Sequence, residues 1–143
     1  MKHKRDPMKI SDQKRDELIA AALEVRGNAY VPYSKYAVGA ALLAESGAVY
    51  TGANIENAGY SGTICAERSA VVGAASQGER KFTAIAVATD NGGSPCGACR
   101  QVMSEFGLET RVIMVNREGE IVHEATVGEL LPISFGPDDL VAS

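Results

Sequence analysis

Three cysteines are all the thiols in the chain, and they fall in two short stretches, "TICAERSA" at residues 63–70 and "SPCGACRQ" at residues 94–101. Cys65 stands two residues ahead of Glu67, while Cys96 and Cys99 stand three apart. An odd number of thiols cannot pair off into disulfides within one chain. The basic start "MKHKRDPMKI" has no apolar segment behind it, so it does not read as a secretory signal. The thiols are therefore read as free, in a reducing cytoplasmic setting. Scattered free cysteines would be small apolar core groups, but these are clustered.

Both stretches resemble helix starts. Ser94 is a good N-cap and Pro95 suits the first helical position, which would place Cys96 and Cys99 in the first turns, on one face. Thr63 is the expected N-cap of the other helix, with Cys65 in its first turn. A helix N-terminus favours negative charge and lowers thiol pKa, and the thiolate is the form that ligates zinc. Three thiolates at roughly 2.3 Å would leave one tetrahedral position open, whereas a structural zinc site is normally closed by four protein ligands. His3 lies in the basic start and His123 in an expected strand far along the chain, and both read as ordinary histidines. The fourth position is left to water, which zinc acidifies enough to supply hydroxide near neutral pH. Glu67, at the edge of this site, becomes the candidate proton shuttle. Without Cys65 beside it, Glu67 would be a first-turn glutamate favoured by the helix dipole.

The elements that must position these residues follow from periodicity. The chain has 143 residues, 45% hydrophobic and 22% charged, which suits one domain with a real core. A loose tail over residues 1–9 and a single domain over 10–143 are expected. Leu18, Ala22 and Val25 recur at helical spacing behind Ser11, a plausible N-cap. "YAVGAALLA" reads as a buried strand, "ESGA" as a hairpin turn and "VYTGANI" as a second strand. A helix is expected from about Thr63 to Ser76, then the strand "FTAIAVAT", then a helix from "SPCGAC" that stops at Gly107. "RVIMVN" and "IVHEAT" are two more strands, and Thr126 with Glu129 fits a capping box opening a short last helix. Strands alternating with helices predict an α/β sheet covered by helices on both faces. The net charge of −4, without a basic stripe, argues against nucleic acid as a partner. No apolar run approaches the roughly 18 residues that would span a membrane.

With these residues in place, the chain resembles a known family. "CAE" followed by "PCGAC" fits the zinc nucleobase-deaminase pattern of three cysteines and a glutamate that is not a ligand. "VPYSKYAVGAAL", "TGANIENAGY", "TICAERSA", "SPCGACRQVMSEFG" and "LLPISFGPDDL" together, from about Tyr30 to Leu140, are similar to the small homotetrameric cytidine deaminases. The resemblance implies a three-layer α/β/α fold around a five-stranded mixed sheet. It implies one Zn²⁺ per chain on Cys65, Cys96 and Cys99, and hydrolysis of cytidine and 2'-deoxycytidine to the uracil nucleosides with release of ammonia, as in pyrimidine salvage. Glu67 would move the protons. Asn54 and Glu56 would bind the ribose 3'-hydroxyl, Tyr36 would pack near the base, and the Ala66 amide would meet the polar edge of the ring. Arg68 would hydrogen-bond the cysteine sulfurs and offset their excess negative charge. Phe135 would reach the active site of a neighbouring subunit in a homotetramer.

This chain reads "ENAGYSGT" where the family usually reads like "ENASYGLT", so Gly59, Ser61 and Gly62 give the loop less bulk and more backbone freedom. Three other readings compete. A deaminase of a modified cytosine nucleoside, such as a blasticidin-type antibiotic, shares the chemistry. A non-catalytic zinc module would not need Glu67 or an open position. A polynucleotide-editing deaminase would need a basic channel, which the sequence does not show.

Overall fold

The computed structural model describes residues 6–140. Its elements run α1 (Asp12–Arg26), β1 (Gly39–Ala44), β2 (Val49–Ala53), α2 (Ala66–Ser76), β3 (Phe82–Ala88), α3 (Gly97–Ser104), β4 (Arg111–Val115), β5 (Ile121–Thr126), α4 (Val127–Leu130) and α5 (Pro137–Leu140). The five strands form one sheet in the order β2-β1-β3-β4-β5. β3 and β4 are parallel, joined through α3, and the other neighbours are antiparallel. This is the expected α/β/α architecture with a mixed sheet.

The layers follow from strand periodicity. Successive side chains of a strand point to opposite faces. Ala40, Leu42 and Ala44 join Ile85, Val87, Val112 and Met114 under α2 and α3. Ala41 and Leu43 join Ala84, Ala86 and Ile113 against Leu18, Ile19 and Ala22 of α1. All six β1 residues are buried, which is why "GAALLA" is uniformly small and apolar rather than alternating. Val25, expected on the inner stripe of α1, is only half-buried. Helices lie close on the sheet: a Cβ at Gly39 would stand 2.2 Å from the Ala22 carbonyl oxygen, and one at Gly52 would stand 2.6 Å from the Ala70 nitrogen. Ser11 caps α1 by accepting from the Lys14 amide. Thr126 and Glu129 form the expected capping box at α4. The turn between β1 and β2 uses Gly47 at φ +94°, a conformation cheap only for glycine.

Both cysteine helices start later than expected. Thr63 does not cap α2; Cys65 itself is the N-cap, in extended conformation at φ −73° and ψ 151°. The cause is distant in sequence: Ile55 and Ile64 exchange two backbone hydrogen bonds of 2.9 Å each, which keeps the chain extended up to Cys65. Likewise Ser94 does not cap α3. Its hydroxyl accepts from Arg100 Nη2 at 2.8 Å, and Cys96 is the N-cap at φ −68° and ψ 167°. α3 closes at Ser104, short of Gly107, and α5 was not anticipated. Met8 is held, its amide donating to the Glu109 carbonyl at 3.0 Å and its own carbonyl accepting from Arg111. Ordered contacts therefore begin inside the segment expected to be loose. His3 lies outside the described residues. Among the described residues no helix is long and apolar enough to cross a membrane.

Candidate active site

The consequence of the shifted helix starts is chemical. Cys65 and Cys96 each occupy the N-cap, and neither side chain caps its own helix. Their sulfurs lie 3.9 Å apart, Cys96 and Cys99 sulfurs lie 3.5 Å apart, and all three fall within 4.8 Å of one another. Three ligands on a tetrahedral zinc at about 2.3 Å would stand roughly 3.8 Å from each other. The donor set therefore fits a single zinc ion, with both helix N-termini directed at the same charge. α2 and α3 bring Cys99 to full burial and leave Cys96 exposed, with Cys65 between.

The sulfurs already share charge unequally. The Cys65 thiol is lowered to about 5, first by the hydrogen bond with Cys99 and then by Arg68. The Cys99 pKa is pushed upward, first by its interaction with Cys65 and then by burial. A bound dication would favour the thiolate form of all three. Arg68 Nη2 donates to Cys65 Sγ at 3.4 Å and to the Thr63 carbonyl at 3.2 Å, so its guanidinium lies against the sulfur cluster.

Glu67 is 6% exposed. Burial raises its pKa to about 6, the Cys65 charge adding to the rise and Arg68 opposing it. It lines a pocket of about 240 Å³ together with Cys65, Cys96, Ala66, Asn54 and Tyr36. Asn54 is braced by backbone: its Oδ1 accepts from the Val38 amide and its Nδ2 donates to the Tyr36 carbonyl, both at 2.9 Å. One amide hydrogen and one lone pair remain for a ligand. Glu56 lies in an adjoining cavity with Tyr33, Ser34 and Tyr60, and Thr63 borders both cavities. Its carboxylate accepts from the Tyr33 and Ser34 amides at 3.1 and 3.2 Å, and hydrogen bonding to Ser34 holds its pKa below the ordinary value. The Tyr36 hydroxyl, which needs a partner, finds Asn91 Oδ1 at 2.7 Å.

Phe135 borders neither cavity and is 57% exposed. His123 is exposed on β5 and is not part of the cysteine cluster. Sequence reasoning missed Thr89 and Gly93, which line the pocket, and Asn91 behind them. The run "TDNGGSP" is a strong turn signal directly ahead of the second cysteine stretch, and that position could have marked it as a pocket wall.

Comparison with known proteins gives consistent matches. Residues 12–115 match the cytidine and deoxycytidylate deaminase zinc-binding region. A cytidine deaminase of Sporosarcina psychrophila is 53% identical over 128 residues, covering 87% of this chain and 93% of the relative. One from Halalkalibacterium halodurans is 51% identical over 129 residues, covering 88% and 97% respectively. The crystal structure of a cytidine deaminase from Burkholderia pseudomallei superposes with a TM-score of 0.81 at 42% identity, covering 88% of this chain and all of that one.

Proposed function

The chain belongs to the cytidine and deoxycytidylate deaminase zinc-binding family, and from that premise we propose that it hydrolyses cytidine and 2'-deoxycytidine to uridine and 2'-deoxyuridine, releasing ammonia. The observation that carries the reading is the cluster of three thiols, two of which line one pocket together with a buried carboxyl. Cys65, Cys96 and Cys99 hold the zinc. Zinc bound there supplies the Lewis acidity that makes water a nucleophile near neutral pH. Glu67 accepts the proton of the attacking water and delivers it to N3 of the pyrimidine as oxygen adds to C4. It then takes the remaining proton from the new C4 hydroxyl to the exocyclic nitrogen, the C4–N bond breaks as the C4 carbonyl forms, and ammonia leaves. A carboxyl whose pKa sits about 6 can both take and return a proton near neutral pH. The Ala66 amide, in the first turn of α2, faces the polar edge of the ring, and Tyr36 flanks the base. Asn54 and Glu56 bind the ribose 3'-hydroxyl, which both donates and accepts. Arg68 offsets the surplus negative charge of three thiolates.

A nucleoside is favoured over its 5'-phosphate. Among the described residues neither cavity is bordered by a lysine or arginine, and Glu56 places a carboxylate in the outer one; a phosphate would be recognised by cations. No observation favours a modified cytosine nucleoside over the plain one. The decisive experiment incubates the zinc-loaded protein with cytidine, following ammonia and the fall in pyrimidine absorbance, with and without a chelator. Chelator-sensitive ammonia release is expected; no release from cytidine or deoxycytidine would overturn the reading.

The assembly we propose is a homotetramer in the cytoplasm, where free thiols stay reduced. Ile133 is 98% exposed and follows Pro132 at φ +53°, in the same C-terminal stretch as the exposed Phe135 and Leu140. A β-branched residue in that conformation and fully solvated gains nothing within one chain. In the proposed assembly Phe135 closes a neighbour's pocket over the base and excludes water. Removing residues from Phe135 onward is expected to raise KM for cytidine and loosen the tetramer. Light scattering decides it, since a fully active species of monomer mass would show that each chain builds its pocket alone.

A further inference from the structure

The pocket mouth has two walls from distant parts of the chain. One is the segment over residues 33–36; the other is the loop over residues 91–94 that runs into Cys96. They meet through the hydrogen bond from the Tyr36 hydroxyl to Asn91 Oδ1, 2.7 Å long. Each end is itself fixed. Thr89 Oγ1 accepts from the Gly92 and Gly93 amides, both at 2.8 Å, and Asn91 forms an antiparallel bridge with Asn116. On the other wall the Tyr36 amide donates to Ser34 Oγ at 3.1 Å. Lys35, just before it, is held at φ +63°, a conformation that a residue with a Cβ keeps when its surroundings over-determine it. The Tyr36 hydroxyl also lies over the Gly93 backbone: a Cβ at Gly93 would stand 2.8 Å from it, with Asn91 Oδ1 at 3.6 Å and Thr89 Oγ1 at 3.9 Å as the next neighbours.

The geometry points to Tyr36 and Asn91 as a strap of positioning residues that fixes the Gly93–Ser94 wall before substrate arrives. The inference rests on the reading of this pocket as a nucleoside site. A wall held in place costs less ordering on binding, so the strap acts mainly on substrate affinity. Asn91 acts through Tyr36 and the loop, without touching the reacting atoms.

Kinetics and thermal unfolding of the zinc-loaded protein test it together. Tyr36→Phe and Asn91→Ala are each expected to raise KM for cytidine about three- to tenfold, with a smaller fall in kcat, as for loss of one ordinary hydrogen bond. The double variant should be no worse than the more affected single one, because both changes remove the same bond. Gly93→Ala supplies an independent arm. It should lower the thermal midpoint and raise KM in the parent, and do less in the Tyr36→Phe background, where the hydroxyl that meets the new Cβ is gone. Strictly additive effects of Tyr36→Phe with Gly93→Ala, or an unchanged KM in both single variants, would overturn the strap. If the parent releases no ammonia from cytidine, the nucleoside reading fails, and the thermal cycle still decides whether hydroxyl and loop are coupled.

Discussion

Glu67→Gln is expected to keep zinc and fold while losing most turnover. Glutamine matches the shape of glutamate and cannot carry a proton, so the buried position beside Cys65 stays filled. A positioned acid–base group contributes about 10²–10⁴-fold to rate, and one that serves several transfers in the same reaction contributes toward the upper end. Fold retention has a sign that can be checked. On folding, the Glu67 carboxyl rises from an ordinary value of 4.5 to about 6, so the folded chain binds its proton more tightly than the unfolded one. Ionisation therefore opposes folding, by an amount that grows between those two values and is full above the higher one, about 2 kcal/mol by linkage. Glutamine removes that cost. In protein stripped of metal, Glu67→Gln should melt at or above the parent temperature at pH 7.5, and the advantage should vanish below the ordinary carboxyl range. Steady-state rates on loaded protein make the other half of the test. Turnover within about threefold of the parent would remove Glu67 from the mechanism, whatever its stability.

What was legible in the sequence was what depends on neighbours in the chain. "GAALLA" announces a strand covered on both faces, because no polar residue interrupts it. The capping box of Thr126 and Glu129 is a local, reciprocal pair, and it forms as read. The three thiols were legible as a cluster because their number excluded disulfides and their placement at helix starts was chemically coherent. The helix boundaries were misjudged where a distant partner decides them. Thr63 has better capping chemistry than Cys65, yet the bridge between Ile55 and Ile64 holds the chain extended past it. Ser94 is an equally good local cap, but its hydroxyl serves Arg100. The backbone-bracing role of Asn54 was hidden for the same reason: its partners Val38 and Tyr36 are 16 and 18 residues away. Tyr36 and Asn91 are 55 residues apart, and no periodicity or spacing could have joined them.

The second large effect is expected at Cys99. Its sulfur sits 3.5 Å from that of Cys96 and within 4.8 Å of that of Cys65, and the residue, near the start of α3, is wholly buried in the core. Cys99→Ala removes one of the three protein ligands and leaves two thiols, one of them exposed. Two sulfurs cannot complete the set that makes a catalytic zinc site with one open position, so metal analysis should show severe loss of zinc and assays should show loss of ammonia release. Stability supplies a check that does not pass through activity. Zinc that binds the folded chain adds its binding free energy to folding, so chelator should lower the thermal midpoint of the parent. Cys99→Ala should already melt near the stripped parent, and chelator should leave it where it is. A variant that melts low but still answers to chelator would have lost core packing rather than its metal. Full zinc occupancy in Cys99→Ala would mean that the ion is held by other groups, and the three-sulfur assignment would fall with it.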